Sequence, residues 1–119
     1  GVGKGGPKAS AGPKGTGPKP NNGNGPKHGS DAHNDAIDKR IEDLRKDPGV
    51  IDMRKNQTQV DVDGNKVGNN RPDIQYNKDG CHNCVEYDTV PGNGQRHGEV
   101  IRGNDPGTKV ELNDVPPKP

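Results

Sequence analysis

Two runs of alternating apolar and polar residues flank a turn-forming Asp79-Gly80 pair, and no other feature restricts the fold of this sequence as much. Successive side chains of a strand point to opposite faces. On the first run Pro72, Ile74 and Tyr76 therefore point one way, and Arg71, Asp73 and Gln75 the other. On the return run Val85 and Tyr87 take the apolar side, and His82, Cys84, Glu86 and Asp88 the opposite one. A two-residue turn sets Ile74 against Val85 and Asp73 directly across from Glu86. A four-residue turn, Asn77 to Gly80, makes that pair diagonal neighbours instead. Either register gathers Asp73, Glu86 and Asp88 on one face.

The apolar faces of such a hairpin need covering, and the chain has little to cover them with. Only 22% of its 119 residues are apolar, with no Trp, no Phe and two Tyr. A core this thin implies marginal stability, which a bound metal or protein would raise by mass action. Ser30 is a good N-cap, Asp31, Asp35 and Asp38 sit in the first turns where the helix dipole favours acids, and Ile37, Ile41 and Leu44 recur at helical spacing. This predicts an amphipathic helix from about Asp31 to Lys46, ended by Pro48-Gly49. Val60 and Val62 alternate with polar residues before Asp63-Gly64, predicting a further hairpin with Val67 opposite Val60. After Thr89, Pro91 to Gln95 reads as a loop, Arg96 to Gly103 as a short helix and Lys109 to Leu112 as a last strand. The expected class is α+β: an N-terminal helix, a three-stranded antiparallel meander, a helix and a further strand.

Residues 1–30 differ from the rest in kind. They hold ten Gly, five Pro and five Lys against three apolar residues and no acid, whereas residues 31–119 carry 13 basic and 17 acidic residues. Gly-Pro-Lys recurs at Gly6, Gly12, Gly17 and Gly25, at unequal intervals that exclude a collagen triple helix. Such a stretch predicts a flexible cationic linker, with loose clamping of nucleic acid as a second use. Residues 31–119 then form the domain. Beginning at Gly1 without Met, the sequence reads as a piece of something longer. No apolar run approaches a membrane span.

Carboxylates gathered on one strand face repel, and each disfavours ionisation of its neighbour. A divalent cation relieves this. Mg²⁺ takes one or two carboxylates, keeps several waters and leaves room for a phosphate oxygen. The plainer alternative is a solvated polar face with Arg71 as counter-charge.

Arg71-Pro72-Asp73-Ile74-Gln75-Tyr76 followed by Val85-Glu86-Tyr87-Asp88 resembles the PD-(D/E)xK nuclease superfamily, whose core runs helix, three-stranded meander, helix, strand. With Asn70 and the stretch from His97 through Ile101 to Asn104-Asp105-Pro106, it is similar to restriction-endonuclease-type toxin domains at the C-termini of bacterial polymorphic toxins of Rhs and contact-dependent inhibition type. The resemblance spans about residues 31–115. It implies Asp73 and Glu86 as ligands of Mg²⁺ or Mn²⁺ in phosphodiester hydrolysis, DNA favoured over RNA. It further implies a larger delivery polypeptide, action in the target-cell cytoplasm and a cognate immunity protein. The family's Lys, two residues after the Glu, is absent, and Asp88 stands there. Asp88 is then a further ligand or positions water, while Gln75, Arg71 or Gln59 supplies a polar or cationic group. Glu42 stands where the family often contributes an acid from the first helix, beside a surface reading.

Cys81-His82-Asn83-Cys84 invites a zinc site with His97, but a strand sends the two cysteines to opposite faces. Cys81 is then expected in the core and Cys84 near the polar face. His97, at a helix start, is expected at substrate phosphate or in a capping role. The acidic body offers poor steering for nucleic acid unless Arg54, Lys55, Lys66, Arg71, Arg96 and Arg102 gather on one side. The two tyrosines fall on the core side, leaving phosphate contacts to dominate. Two other classes remain: a metal-independent RNase working through His97, and a non-enzymatic module whose acidic face binds metal or a basic protein.

Overall fold

Ser30 starts the first helix as its side chain predicts, accepting a hydrogen bond from the His33 amide at 3.2 Å. This α1 (Asp31–Arg45) buries His33, Ile37, Ile41 and Leu44 along one stripe. The computed structural model describes residues 15–90 and 92–115. After α1 come β1 (Ile51–Lys55), β2 (Ile74–Lys78), β3 (Cys81–Asp88), α2 (Asn93–Asn104) and β4 (Lys109–Asp114). They make an α+β fold with a mixed sheet of order β1-β2-β3-β4. The first two pairings are antiparallel and the last is parallel, so β4 returns through α2.

The β2–β3 hairpin takes the two-residue turn. Ile74 pairs with Val85 and Lys78 with Cys81, with Asp79 and Gly80 both at positive φ. Period two then sorts the side chains. Ile74, Tyr76 and Val85 join Met53 beneath Ile37, Ile41 and Leu44, with Val50 and Tyr87 packed at the margin. Arg40 reaches from α1 to Glu111 of β4 with two hydrogen bonds of 2.9 and 3.1 Å. On the other face Cys84 and Ile101 are buried, and α2 turns Gly94 and Gly98 inward. A Cβ at Gly98 would come within 3.3 Å of Leu112, so a residue without one lets the helix lie close to β4.

Several expectations are corrected. The strand paired with β2 is Ile51–Lys55, not the Val60 region. Asp52 at φ 54° breaks its register between Ile51 and Arg54, and Met53, Arg54 and Lys55 are all buried, so no alternation shows in the sequence. Val60 forms an isolated bridge with Lys66, one residue from the expected Val67. Asp61 Oδ1 accepts from the Asp63 and Asn65 amides at 2.9 Å each, closing a three-residue loop with Gly64 at φ 81°. Cys84 is the fully buried cysteine and Cys81 the half-buried one; both are free.

The second helix starts earlier than expected. Gly92 caps it and Asn93 already belongs to it, while Pro91 lies outside the described residues. So do residues 1–14 of the stretch read as a linker. Residues 19–25 of the remainder run along the outer edge of β1. The Asn21 side chain donates to Lys55 O and accepts from Lys55 N, both at 2.8 Å, much as a neighbouring strand would. Asn22 N donates to Met53 O at 2.8 Å, and Gln57 Nε2 donates to Lys19 O at 3.0 Å. An edge whose N–H and C=O groups are occupied in this way is closed to other strands.

Candidate functional site

The hairpin register brings the acidic residues together. Asp73 ends the segment leading into β2 and stands across from Glu86, donating its amide to Glu86 Oε2 at 2.8 Å. Its own Oδ2 accepts from the Tyr87 amide at 2.8 Å. Asp88 follows on the same face of β3 as Glu86. All three side chains are buried, and Asp88 Oδ2 has no hydrogen-bond partner among the described residues. They line a cleft of about 320 Å³ between the start of α1, the entry to β2, the end of β3 and α2. That size suits a small polar ligand or part of a polymer.

Three histidines complete the cleft. His97, half-exposed on α2, sets Nδ1 3.2 Å from Glu86 Oε1 and 3.1 Å from Asp88 Oδ1. His28, also half-exposed, lies 3.7 Å from Asp73 Oδ1, and the buried His33 lies 3.4 Å from Asp73 Oδ2. Among the described residues, two groups of three could each hold a metal ion: Glu86, Asp88 and His97, and His28, His33 and Asp73. The second is compromised. His33 Nδ1 faces His28 O at 2.9 Å, and its Nε2 faces Tyr87 O. A ring with both nitrogens turned to carbonyl oxygens presents neither of them to a metal ion. Burial works against a charge on the ring, but the His28 carbonyl, Asp73, the Tyr87 carbonyl and Asp88 outweigh it and raise the His33 pKa.

Burial dominates the titration of the carboxylates. Glu86 is pushed up to about 8, by desolvation first, then by Asp73 and Asp88, against the hydrogen bond from the Asp73 amide. Asp73 is raised as well, again by burial, although the Tyr87 amide, His33 and His28 pull it down. A carboxylate cluster of this kind gains most from a cation.

The other residues singled out in the sequence divide. Arg71 is exposed at the cleft and is its one permanently charged cation among the described residues. Gln75 does not face the cleft. Its Oε1 accepts from Val60 N and faces His82 Nε2, while its Nε2 donates to Gln57 O and Thr58 O. Gln59 is likewise consumed, by Asn70, Asn104 and the Ile101 carbonyl. Glu42 is exposed on α1, outside the cleft lining. Arg54 and Lys55 are buried, so they cannot belong to a basic face: Arg54 donates to Pro18 O and Lys55 to Asp38. The metal-capable groups contain neither cysteine.

His28 and His33 were not among the site residues the sequence pointed to. His33 carried a signal, since it shares the helical stripe of Ile37, Ile41 and Leu44 and is the polar member of an apolar row. His28 carried none, because it sits in the Gly/Pro/Lys-rich stretch.

No protein-family model, curated protein or solved structure matches this chain.

Proposed function

We propose that this chain is a metal-dependent nuclease toxin domain with a PD-(D/E)xK-like core, hydrolysing phosphodiester bonds, of DNA in preference to RNA, in competition between bacteria. The observation that carries the reading is the pairing of Asp73 with Glu86 across β2 and β3, beside an Asp88 oxygen that is buried without a partner. The order helix, three antiparallel strands, helix, parallel strand is compatible with that core.

The donors fit a divalent cation. An unpartnered buried carboxylate oxygen is costly, and a bound ion removes the cost. Asp73, Glu86 and Asp88 would hold Mg²⁺ or Mn²⁺, with Asp73, whose oxygen groups with His28 and His33 in the cleft, turning toward the ion held by the other two, and the ion would supply an activated water and charge stabilisation. The chain's own groups do the rest. The Asp73 and Tyr87 amides fix the two leading carboxylates through hydrogen bonds of 2.8 Å. Arg71, at the rim, attracts the phosphate that the carboxylates alone would repel. Its guanidinium takes over part of the charge duty of the Lys that position 88 lacks.

A toxin of this kind requires a cognate immunity protein in the producing cell, a delivery polypeptide, and action in the target-cell cytoplasm. No helix among the described residues is long and apolar enough to cross a membrane.

The test is incubation with supercoiled plasmid and, separately, total tRNA, with Mg²⁺, Mn²⁺ or EDTA, beside Glu86→Ala. Metal-dependent plasmid cleavage, lost in the variant, is expected. A metal-independent RNase has one observation in its favour: half-exposed His28 and His97 stand against carboxylates on the same cleft, as an acid–base pair would. Cleavage of tRNA that survives EDTA would select it. No cleavage of either substrate would leave a binding module.

A further inference from the structure

His97 stands in a relation to the carboxylates that a phosphate contact or a helix cap does not require. Its Nδ1 lies 3.2 Å from Glu86 Oε1 and 3.1 Å from Asp88 Oδ1. Metal–oxygen and metal–nitrogen bonds of about 2.0–2.2 Å put neighbouring donors at right angles roughly 3 Å apart. Both separations match such an edge. The three donor atoms, one nitrogen and two oxygens, all lie within 4.8 Å of one another.

The second observation is Asp88 itself. Its side chain is 9% exposed, it lines the cleft, and Oδ2 meets no donor among the described residues. Gly94 eases the approach of α2, since a Cβ there would stand a tight 3.1 Å from that same Oδ2. The helix is thus set close enough for its second turn to carry His97 over β3. The other histidine group offers no equivalent, because both His33 nitrogens face carbonyl oxygens.

We infer that His97 is the nitrogen ligand of a mixed site with Glu86 and Asp88, and that this site prefers a late first-row transition-metal dication such as Co²⁺ or Zn²⁺ to Mg²⁺. Imidazole suits these ions, and affinity for them rises along the series from Mn²⁺ towards Cu²⁺. Mg²⁺ gains little from nitrogen and gives up its water reluctantly. The inference rests on the proposed function only in placing a cation in this cleft; it does not require cleavage.

The experiment is titration of the full chain with Co²⁺, Mn²⁺ and Mg²⁺, followed by calorimetry and by Co²⁺ visible absorption, for the natural sequence, His97→Ala and His97→Gln. Co²⁺ is expected to bind at least about tenfold more tightly than Mg²⁺. Each variant should lose that margin, with Mg²⁺ affinity changing less than about threefold, and should alter the Co²⁺ spectrum. Equal losses for all ions, or an unchanged Co²⁺ spectrum, would overturn the inference. Should both variants fail to fold, the His97 ring resonances of the natural protein decide: a shift on saturating Zn²⁺ supports ligation, and none refutes it. Selective binding without cleavage of any nucleic acid would remove the nuclease reading and leave this one. Cleavage with Mg²⁺ that is indifferent to His97→Ala, and no preference for Co²⁺, would do the reverse.

Discussion

Glu86 is buried, accepts a hydrogen bond from the Asp73 amide and stands beside two further carboxylates, so folding opposes its ionisation. With a folded pKa of about 8 against 4.5 in the open chain, the folded state keeps a proton that the unfolded state has lost. Stability of the metal-free protein therefore falls as pH rises from about 4.5 to 8. Glu86→Gln keeps an oxygen for the Asp73 amide and removes the charge. Denaturant unfolding in EDTA should find this variant more stable at pH 8, by on the order of 3 kcal/mol, and nearly equal to the natural protein at pH 4. An advantage that does not depend on pH would mean the carboxyl is not what burial penalises. The same variant should gain no stability from metal. At this scale the sequence disclosed the carboxylates, because period two along a strand is strict. It could not disclose what Gln75 does, since an amide that saturates its bonds with Gln57, Thr58 and Val60 looks in sequence like one pointing into a cleft.

Elements were legible where apolar spacing or turn chemistry wrote them. The α1 stripe and the Asp79-Gly80 turn are examples, and both appear as read. β1 was not legible, because a left-handed Asp52 breaks its alternation and because Arg54 and Lys55 are buried through polar partners. The segment outside β1 was hidden for a related reason. It is held by Asn21, Asn22 and backbone groups rather than by buried apolar area, and composition reports only the latter. Its glycines permit the approach: a Cβ at Gly25 would lie 2.1 Å from Lys55 O. Gly25→Ala must push the segment off the edge, and Asn21→Ala removes both bridges to Lys55. Each is expected to cost about 1–3 kcal/mol. Hydrogen exchange at the Lys55 amide, whose partner is Asn21 Oδ1, should accelerate in both. Unchanged exchange in Asn21→Ala would show that the segment does not protect the sheet edge.

Across the whole molecule, the charge works against the proposed substrate. Residues 31–119 carry 17 acids against 13 bases, and two of those bases, Arg54 and Lys55, are buried. Three of the 17 acids line the cleft, which faces a phosphate with Arg71 as its permanent cation. Without a metal ion this field should repel nucleic acid, and a bound dication would reverse its sign locally. If so, a variant that cannot cleave should bind better. Above about pH 8, where Glu86 too has lost its proton, Asp73→Asn combined with Glu86→Gln removes two negative charges where the phosphate would sit while leaving the strand pairing intact. Fluorescence anisotropy with a labelled DNA duplex in EDTA at about pH 9 should show at least about a tenfold gain in affinity for this double variant over the natural protein. The gain should shrink as salt rises, with a shallow slope because few phosphates are contacted. Adding Mn²⁺ should restore binding to the natural protein and do little for the variant, since Asp73 and Glu86 no longer hold the ion. Equal affinities in EDTA would place the phosphate away from this cleft, and with it the chemistry.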